Sequence, residues 1–302
     1  MNYIYIRNGF GNKIFDIIIG LYIKFKTKKK LCGIFSTSHH KSDNIFDIFP
    51  LLKNKFFILY KNKLKNIKIF NCNKDYNMIK NFNTNEDVLI NDNFNCYRHV
   101  FKLYNELPIE MKKYFKINKT LINLNIKNLV KNNKNYCAIH IRYRDKLKIS
   151  MNKNTQYDYL IYNPKYYIKM INIFLKKNIK IYVLTDDPII VNKFILNEFK
   201  NNQNVELLDV DWINSFYVLK NSSYLVLSLS TFSMLAALFN KNLKRVYVIE
   251  RPNEIKYTEM PEEHILKDVN WIKFKKKKYI LNYDIKLMKK MQQYKWDFID
   301  NK

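Results

Sequence analysis

Arginine is scarce in this chain, occurring at Arg7, Arg98, Arg142, Arg144, Arg245 and Arg251, yet two copies stand together in His140-Ile141-Arg142-Tyr143-Arg144-Asp145-Lys146. The segment follows the apolar run Tyr136 to Ile139. If that run is a strand, alternation puts His140, Arg142 and Arg144 on one face, and a cationic rim there can meet an anion at the strand end. The competing reading is a solvated charge cluster paired with Asp145, with His140 a satisfied core residue.

Three further segments have the composition of ligand loops. Gly9-Phe10-Gly11-Asn12 uses two of the four glycines and runs into an apolar helical pattern. Glycine lets a backbone approach a ligand, and the first amides of a helix suit a phosphate; a plain structural turn would look the same. Thr185-Asp186-Asp187-Pro188 places two carboxylates before a helix, where they either cap it or contact a ligand. Ser228-Leu229-Ser230-Thr231-Phe232-Ser233 stands between a strand and an apolar helix, so its hydroxyls and amides can cap the helix, bind a diphosphate, or both.

Cys32, Cys72, Cys96 and Cys137 form no C-x-x-C pair, and reduced, buried thiols are the expectation. Asp209-Val210-Asp211 spells D-x-D after a strand, but no convincing acidic ligand cluster accompanies it, so no metal is expected. The net charge of +28 invites a polyanion partner. Lysine is spread along the whole chain among asparagine and isoleucine, however, which reads as compositional drift, and no specific nucleic-acid partner is expected. The stretch Ile14 to Ile23 is interrupted by Asp16 and too short to span a bilayer. With no signal peptide or anchor apparent, a soluble, cytoplasmic protein is expected.

These segments must be positioned by an α/β framework. The chain has 302 residues, 47% of them hydrophobic, enough for two cores. Short β-branched or aromatic runs alternate with helical patterns, the mark of parallel α/β units. Strands are expected at Tyr3 to Ile6 and Leu31 to Phe35, paired in one sheet, with a helix from about Asn12 to Phe25 between them. Cleaner strands follow at Tyr136 to Ile141, Lys180 to Thr185, Val205 to Leu208, Tyr224 to Ser228 and Arg245 to Glu250, with Pro164 and Pro188 opening helices. The expected domains are 1–130, Rossmann-like and on the acceptor side; 131–275, Rossmann-like and nucleotide-binding; and a basic helix in 276–302. Ligands of such sheets bind beyond the carboxyl ends of the strands, where all four segments fall.

In order and spacing the four segments resemble those of the family 11 α-1,2-fucosyltransferases. Gly9, Gly11, Asn12 and Phe15 match G-x-G-N-x-x-F; His140, Arg142 and Asp145 match H-x-R-R-x-D. Asp186 and Asp187 match the acidic strand end, and Ser230, Thr231, Phe232 and Ser233 match N-S-T-F-S. Tyr143 stands where the family has its second Arg, Leu229 where it has Asn, and Met234 and Leu235 where it has paired Trp. Lys146 after Asp145 also looks like the α-1,6-fucosyltransferases. The resemblance implies a GT-B fold of two Rossmann-like domains facing a cleft, and an inverting transfer of L-fucose or a related 6-deoxyhexose from a GDP-sugar to a glycan hydroxyl. It implies no cofactor, and α-1,2 linkage with α-1,6 as the alternative. Arg142 would hold the diphosphate, with Asp145 and His140 as further catalytic candidates and the other matched residues on the donor. His39 and His40 could line the acceptor side. The rival readings are a polyanion- or glycan-binding module and a degenerate, non-catalytic transferase.

Overall fold

The computed structural model describes residues 1–6, 9–35, 45–55, 57–59, 67–70, 76–82, 86–90, 99–144, 146–147, 161–249, 270–274 and 285–300. The chain divides into two compact units at Leu121/Ile122, ahead of the helix Leu124–Asn132. The strand Asn270–Phe274 and the helix Ile285–Asp300 belong to the second unit.

Among the described residues the first unit holds five strands: β1 (Asn2–Ile6), β2 (Leu31–Phe35), β3 (Phe57–Leu59), β4 (Lys68–Phe70) and β5 (Val88–Ile90). Their order is β3-β2-β1-β5-β4 and every pairing is parallel. The helix Phe10–Thr27 follows β1 directly and is buried continuously from Phe10 to Ile23. Ile14, Ile17, Ile18 and Leu21 are wholly buried, each worth about 1.5–3 kcal/mol relative to exposure. Lys28 ends the helix in the left-handed region, with its N–H returning to Lys24 O.

The second unit contains β6 (Tyr136–Ile141), β7 (Lys180–Thr185), β8 (Val205–Leu207), β9 (Tyr224–Val226), β10 (Arg245–Ile249) and β11 (Asn270–Phe274). The order is β11-β10-β9-β6-β7-β8, again parallel throughout. From β6 the chain steps outward through β7 to β8, then returns to the other side of β6 for β9, β10 and β11. The doubly wound order therefore reverses between β6 and β9, where such sheets bind ligands beyond the strand ends. All six residues of β6 are buried, as a central strand covered on both faces requires.

Capping side chains set the helices that follow the strands. Asn163 caps Pro164–Leu175, Asp187 caps Pro188–Phe194, Asp211 caps Trp212–Asn221 and Ser230 caps Thr231–Phe239. The helix that Pro188 opens breaks at Ile195, and the chain resumes as a 3₁₀ turn, Leu196–Phe199.

Candidate functional site

The site grows from the ends of β6 and β9. β6 stops at Ile141, and the chain leaves it through Arg142; β9 stops at Val226, and Ser228 and Ser230 lie on the bend into the helix Thr231–Phe239. Ser230 Oγ accepts from Phe232 N at 3.3 Å, which caps that helix, and from Arg142 Nη1 at 3.2 Å. A guanidinium is thus fixed at a helix N-terminus across the switch point. Both are positive ends, one a full charge and the other roughly half of one, so together they make a cradle that can hold an anion.

His140 lies beneath this cradle. Its Nδ1 shares a 2.6 Å hydrogen bond with Ser228 Oγ, and its ring packs on Phe232 with centroids 5.3 Å apart. Burial, and secondarily the charge of Arg142, lower its pKa to about 3. The imidazole is neutral at physiological pH and too weakly basic to take a proton efficiently there.

No family model and no curated protein sequence matches this chain. Among solved structures, POFUT1 in complex with GDP superposes with a TM-score of 0.51 over 81% of this chain and 97% of its own, at 10% identity. POFUT1 with GDP-fucose gives 0.47 at 11% identity, over 90% of this chain and 97% of its own. The E. coli heptosyltransferase WaaC with ADP gives 0.45 at 8% identity, over 90% and 93%. The chain has the GT-B fold.

Within that fold the adjacent carboxylates after β7 have separate tasks. Asp186 Oδ1 accepts from Tyr143 N at 2.9 Å and Arg144 N at 3.3 Å, while Oδ2 lies 3.9 Å from Arg142 Nε. Asp187 turns the other way. Its carboxylate, 2% exposed, caps the next helix through Ile190 N and pairs with Lys295 of the C-terminal helix.

Not every sequence expectation converges here. Arg144 leaves the rim, because β6 ends at Ile141 and a short helical turn replaces the alternation; its side chain is exposed. Tyr143, which occupies the family's second Arg position, is wholly buried on the other side of the sheet. There its hydroxyl donates to Tyr162 O and its ring meets Tyr167. Ser233 is wholly buried and donates to the carbonyls of Ser228 and Ser230, so its hydroxyl shapes the bend; Phe232 packs between His140 and Phe216. Thr231 sits buried on the first turn.

Gly9, Gly11 and Asn12 belong to the first unit and are considered there alone. The helix begins at Phe10, with Gly9 as its N-cap in extended backbone. A Cβ at Gly9 would meet nothing within 4 Å, whereas one at Gly20 or Gly33 would press on Leu31, Ile4 or Ile6. Within the described residues neither a positive φ nor close packing requires glycine at position 9; its N-cap position favours it. Asp145, His39, His40, Cys72 and Cys96 lie outside the described residues.

In the D-x-D segment Asp211 is committed to its helix: Oδ1 accepts from Ile213 N and Asn214 N, and Oδ2 from Asn214 Nδ2. Among the described residues no group of three His, Cys, Asp or Glu could hold a metal ion, and no helix is long and apolar enough to cross a membrane. Cys32 and Cys137 are buried free thiols. Sequence reading missed Ser228 as the partner of His140, although it lies two residues before Ser230. It also missed Lys295, which carries no local signal.

Proposed function

We propose that this chain is a glycosyltransferase that moves L-fucose, or a related 6-deoxyhexose, from a GDP-sugar to a hydroxyl of a glycan, with inversion. The observation that carries the reading is the Arg142 guanidinium bonded to Ser230 at the N-terminus of the helix Thr231–Phe239, beside the switch point of the second sheet. The four-segment resemblance to fucosyltransferases supports GDP-fucose as donor and favours α-1,2 linkage. The fold shared with POFUT1, which was crystallised with GDP, supports the same nucleotide class.

The bond between the anomeric carbon and the diphosphate oxygen breaks with its electron pair going to the oxygen, and negative charge grows on GDP. On this reading Arg142 and the first amides of the helix meet that growing charge, and so stabilise the transition state more than the ground state. A guanidinium stays charged and can donate to two oxygens at once, supplying the charge neutralisation that a divalent ion provides elsewhere. The acceptor hydroxyl attacks the opposite face of the sugar and gives its proton to a base. Buried, neutral His140 serves the cradle and not this proton transfer; Asp145 of the matched motif is a candidate for the base and equally for orienting Arg142 or binding His140.

Calorimetric titration tests the reading. GDP should bind the wild type, and Arg142→Ala should weaken that binding at least tenfold, the scale of a lost charge-assisted hydrogen bond. Equal GDP affinity in the two proteins would remove Arg142 from the role.

A further inference from the structure

We propose that Asp186 is a positioning residue for Arg142 and not a contact to the donor, an inference that rests on the diphosphate-binding reading of Arg142. One carboxylate holds three consecutive residues as the chain leaves β6. Oδ1 receives the N–H groups of Tyr143 and Arg144, and Oδ2 faces Arg142 Nε. β6 and β7 are parallel neighbours in register from Tyr136 and Lys180 to Ile141 and Thr185, so Asp186 follows β7 just as Arg142 follows β6.

Each contact has a separate consequence. The two backbone bonds are charge-assisted and fix the carboxylate itself, and they also satisfy amides at the start of the turn that begins at Arg144. The Nε contact is long, and both side chains are about 30% exposed (30% and 31%), so as an isolated ion pair it would add little stability. Its effect is geometric. A guanidinium is a rigid plane; with its Nε edge turned to Asp186 and Nη1 on Ser230, both the position and the rotation of the plane are set.

Charge also argues against a direct contact. A carboxylate beside a diphosphate repels it, while a carboxylate behind the arginine orients the cation without competing for the anion's oxygens. Asp187 shows that the pair is not one acidic site: the adjacent carboxylate is buried and engaged by Ile190 N and Lys295. Among the described residues, then, this acidic strand end serves architecture on one residue and orientation on the next.

The test compares wild type, Asp186→Asn, Asp186→Ala and Arg142→Ala/Asp186→Asn. Three measurements are made on each: melting temperature, GDP affinity by calorimetry, and the ¹⁵N-edited NMR signal of the Arg142 side-chain Nε–H, assigned with Arg142→Lys. Asparagine keeps an oxygen for the two amides but removes the charge. Asp186→Asn is expected to melt near the wild type, shift the Arg142 Nε–H signal and speed its hydrogen exchange, and weaken GDP binding about fivefold or more. In the Arg142→Ala background the same change is expected to have no further effect on residual GDP binding. An unchanged Arg142 Nε–H signal in Asp186→Asn overturns the proposal whatever GDP does. So does an equal loss of GDP affinity with and without Arg142, which would make Asp186 a donor contact. A wild type that ignores GDP while the Nε–H signal still responds to Asp186→Asn would instead count against the diphosphate reading and leave the positioning relation standing.

Discussion

Asp187 and Lys295 are 108 residues apart in sequence and joined by an ion pair whose carboxylate is 2% exposed. The pair fastens the helix Ile285–Asp300 to the strand end that carries Asp186, and Met288, Met291 and the Phe194–Tyr294 contact bury the seam around it. Removing one partner strands a buried charge. Lys295→Met is expected to destabilise the protein by about 3 kcal/mol, the lower end of the range for breaking a buried pair because Lys295 is 24% exposed. Asp187→Asn/Lys295→Met should recover part of the loss, since no uncompensated charge remains. Urea unfolding of wild type, Asp187→Asn, Lys295→Met and the double variant measures the coupling; additive losses would show that the two side chains do not interact.

Ser230 and Ser233 separate binding from folding. Ser230 Oγ both caps the helix Thr231–Phe239 and accepts from Arg142, so Ser230→Ala is expected to cost about 1 kcal/mol of stability and also to weaken GDP binding severalfold. Among the described residues the Ser233 hydroxyl reaches only backbone carbonyls of the bend. Ser233→Ala should cost about 1 kcal/mol and leave the GDP affinity of the folded protein near wild type. Reversed results would move the cradle to Ser233.

Burial of His140 makes the stability depend on pH in a definite direction. Its folded pKa, lowered to about 3, lies below the ordinary value of 6.5 that the unfolded chain would show. Between those values the unfolded state binds the proton and the folded state does not. The stability that His140 contributes is therefore complete above 6.5 and falls with decreasing pH, at up to about 1.4 kcal/mol per pH unit. Wild type should lose stability relative to His140→Asn as the pH drops from 7 to 4. Parallel curves would mean that His140 titrates normally in the folded protein.

Much of this arrangement was legible in the residues. The strands β2, β6 and β7 fall where apolar runs are bounded by polar residues, and β1 differs only by the addition of Asn2. The edge strand β4 escaped notice because it is a short edge: Lys68 and Ile69 are exposed, and Phe70 alone packs inward, on Phe82, too little to make a period. β11 is likewise an edge strand, in the sheet of the second unit. Arg142 and Ser230 were placed correctly at strand ends because strand periodicity and capping chemistry are local. Arg144 was misplaced because alternation holds only while the strand lasts. The capping of Ile190 by Asp187 is local and was among the expected roles of this pair, whereas the backbone contacts of Asp186 and the Asp187–Lys295 pair span 42 to 108 residues, which spacing along the chain does not encode.

Tyr143 bears on whether the chain has lost its catalytic face. Its side chain is packed among Tyr162, Tyr166 and Tyr167, with its hydroxyl bonded to a carbonyl. Exchanging Tyr143 for the Arg found in the related motif would bury a charge in that cluster. Tyr143→Arg is expected to destabilise the protein by several kcal/mol without improving GDP binding, whereas Tyr143→Phe, which leaves Tyr162 O without that donor, should cost about 1–2 kcal/mol and leave GDP affinity unchanged. A Tyr143→Arg protein that folds normally and binds GDP more tightly would show that the position faces the donor.

Gly9 offers the sharpest separation between packing and ligand. It has ordinary extended backbone and, among the described residues, open space where a Cβ would stand, so Gly9→Ala should change stability by less than about 1 kcal/mol, the gain through the unfolded state opposing the poorer N-cap propensity of alanine. At Gly20 a Cβ would come within 3.0 Å of Leu31 Cδ2 and 3.2 Å of two Ile4 atoms. Gly20→Ala is therefore expected to cost about 1–3 kcal/mol despite the better helix propensity of alanine. If glycine at position 9 serves the approach of the donor, as the matched G-x-G-N motif implies, Gly9→Ala should lower transfer from GDP-fucose while its melting curve stays close to that of the wild type. Full transfer activity in a stable Gly9→Ala protein would reduce that glycine to a turn residue.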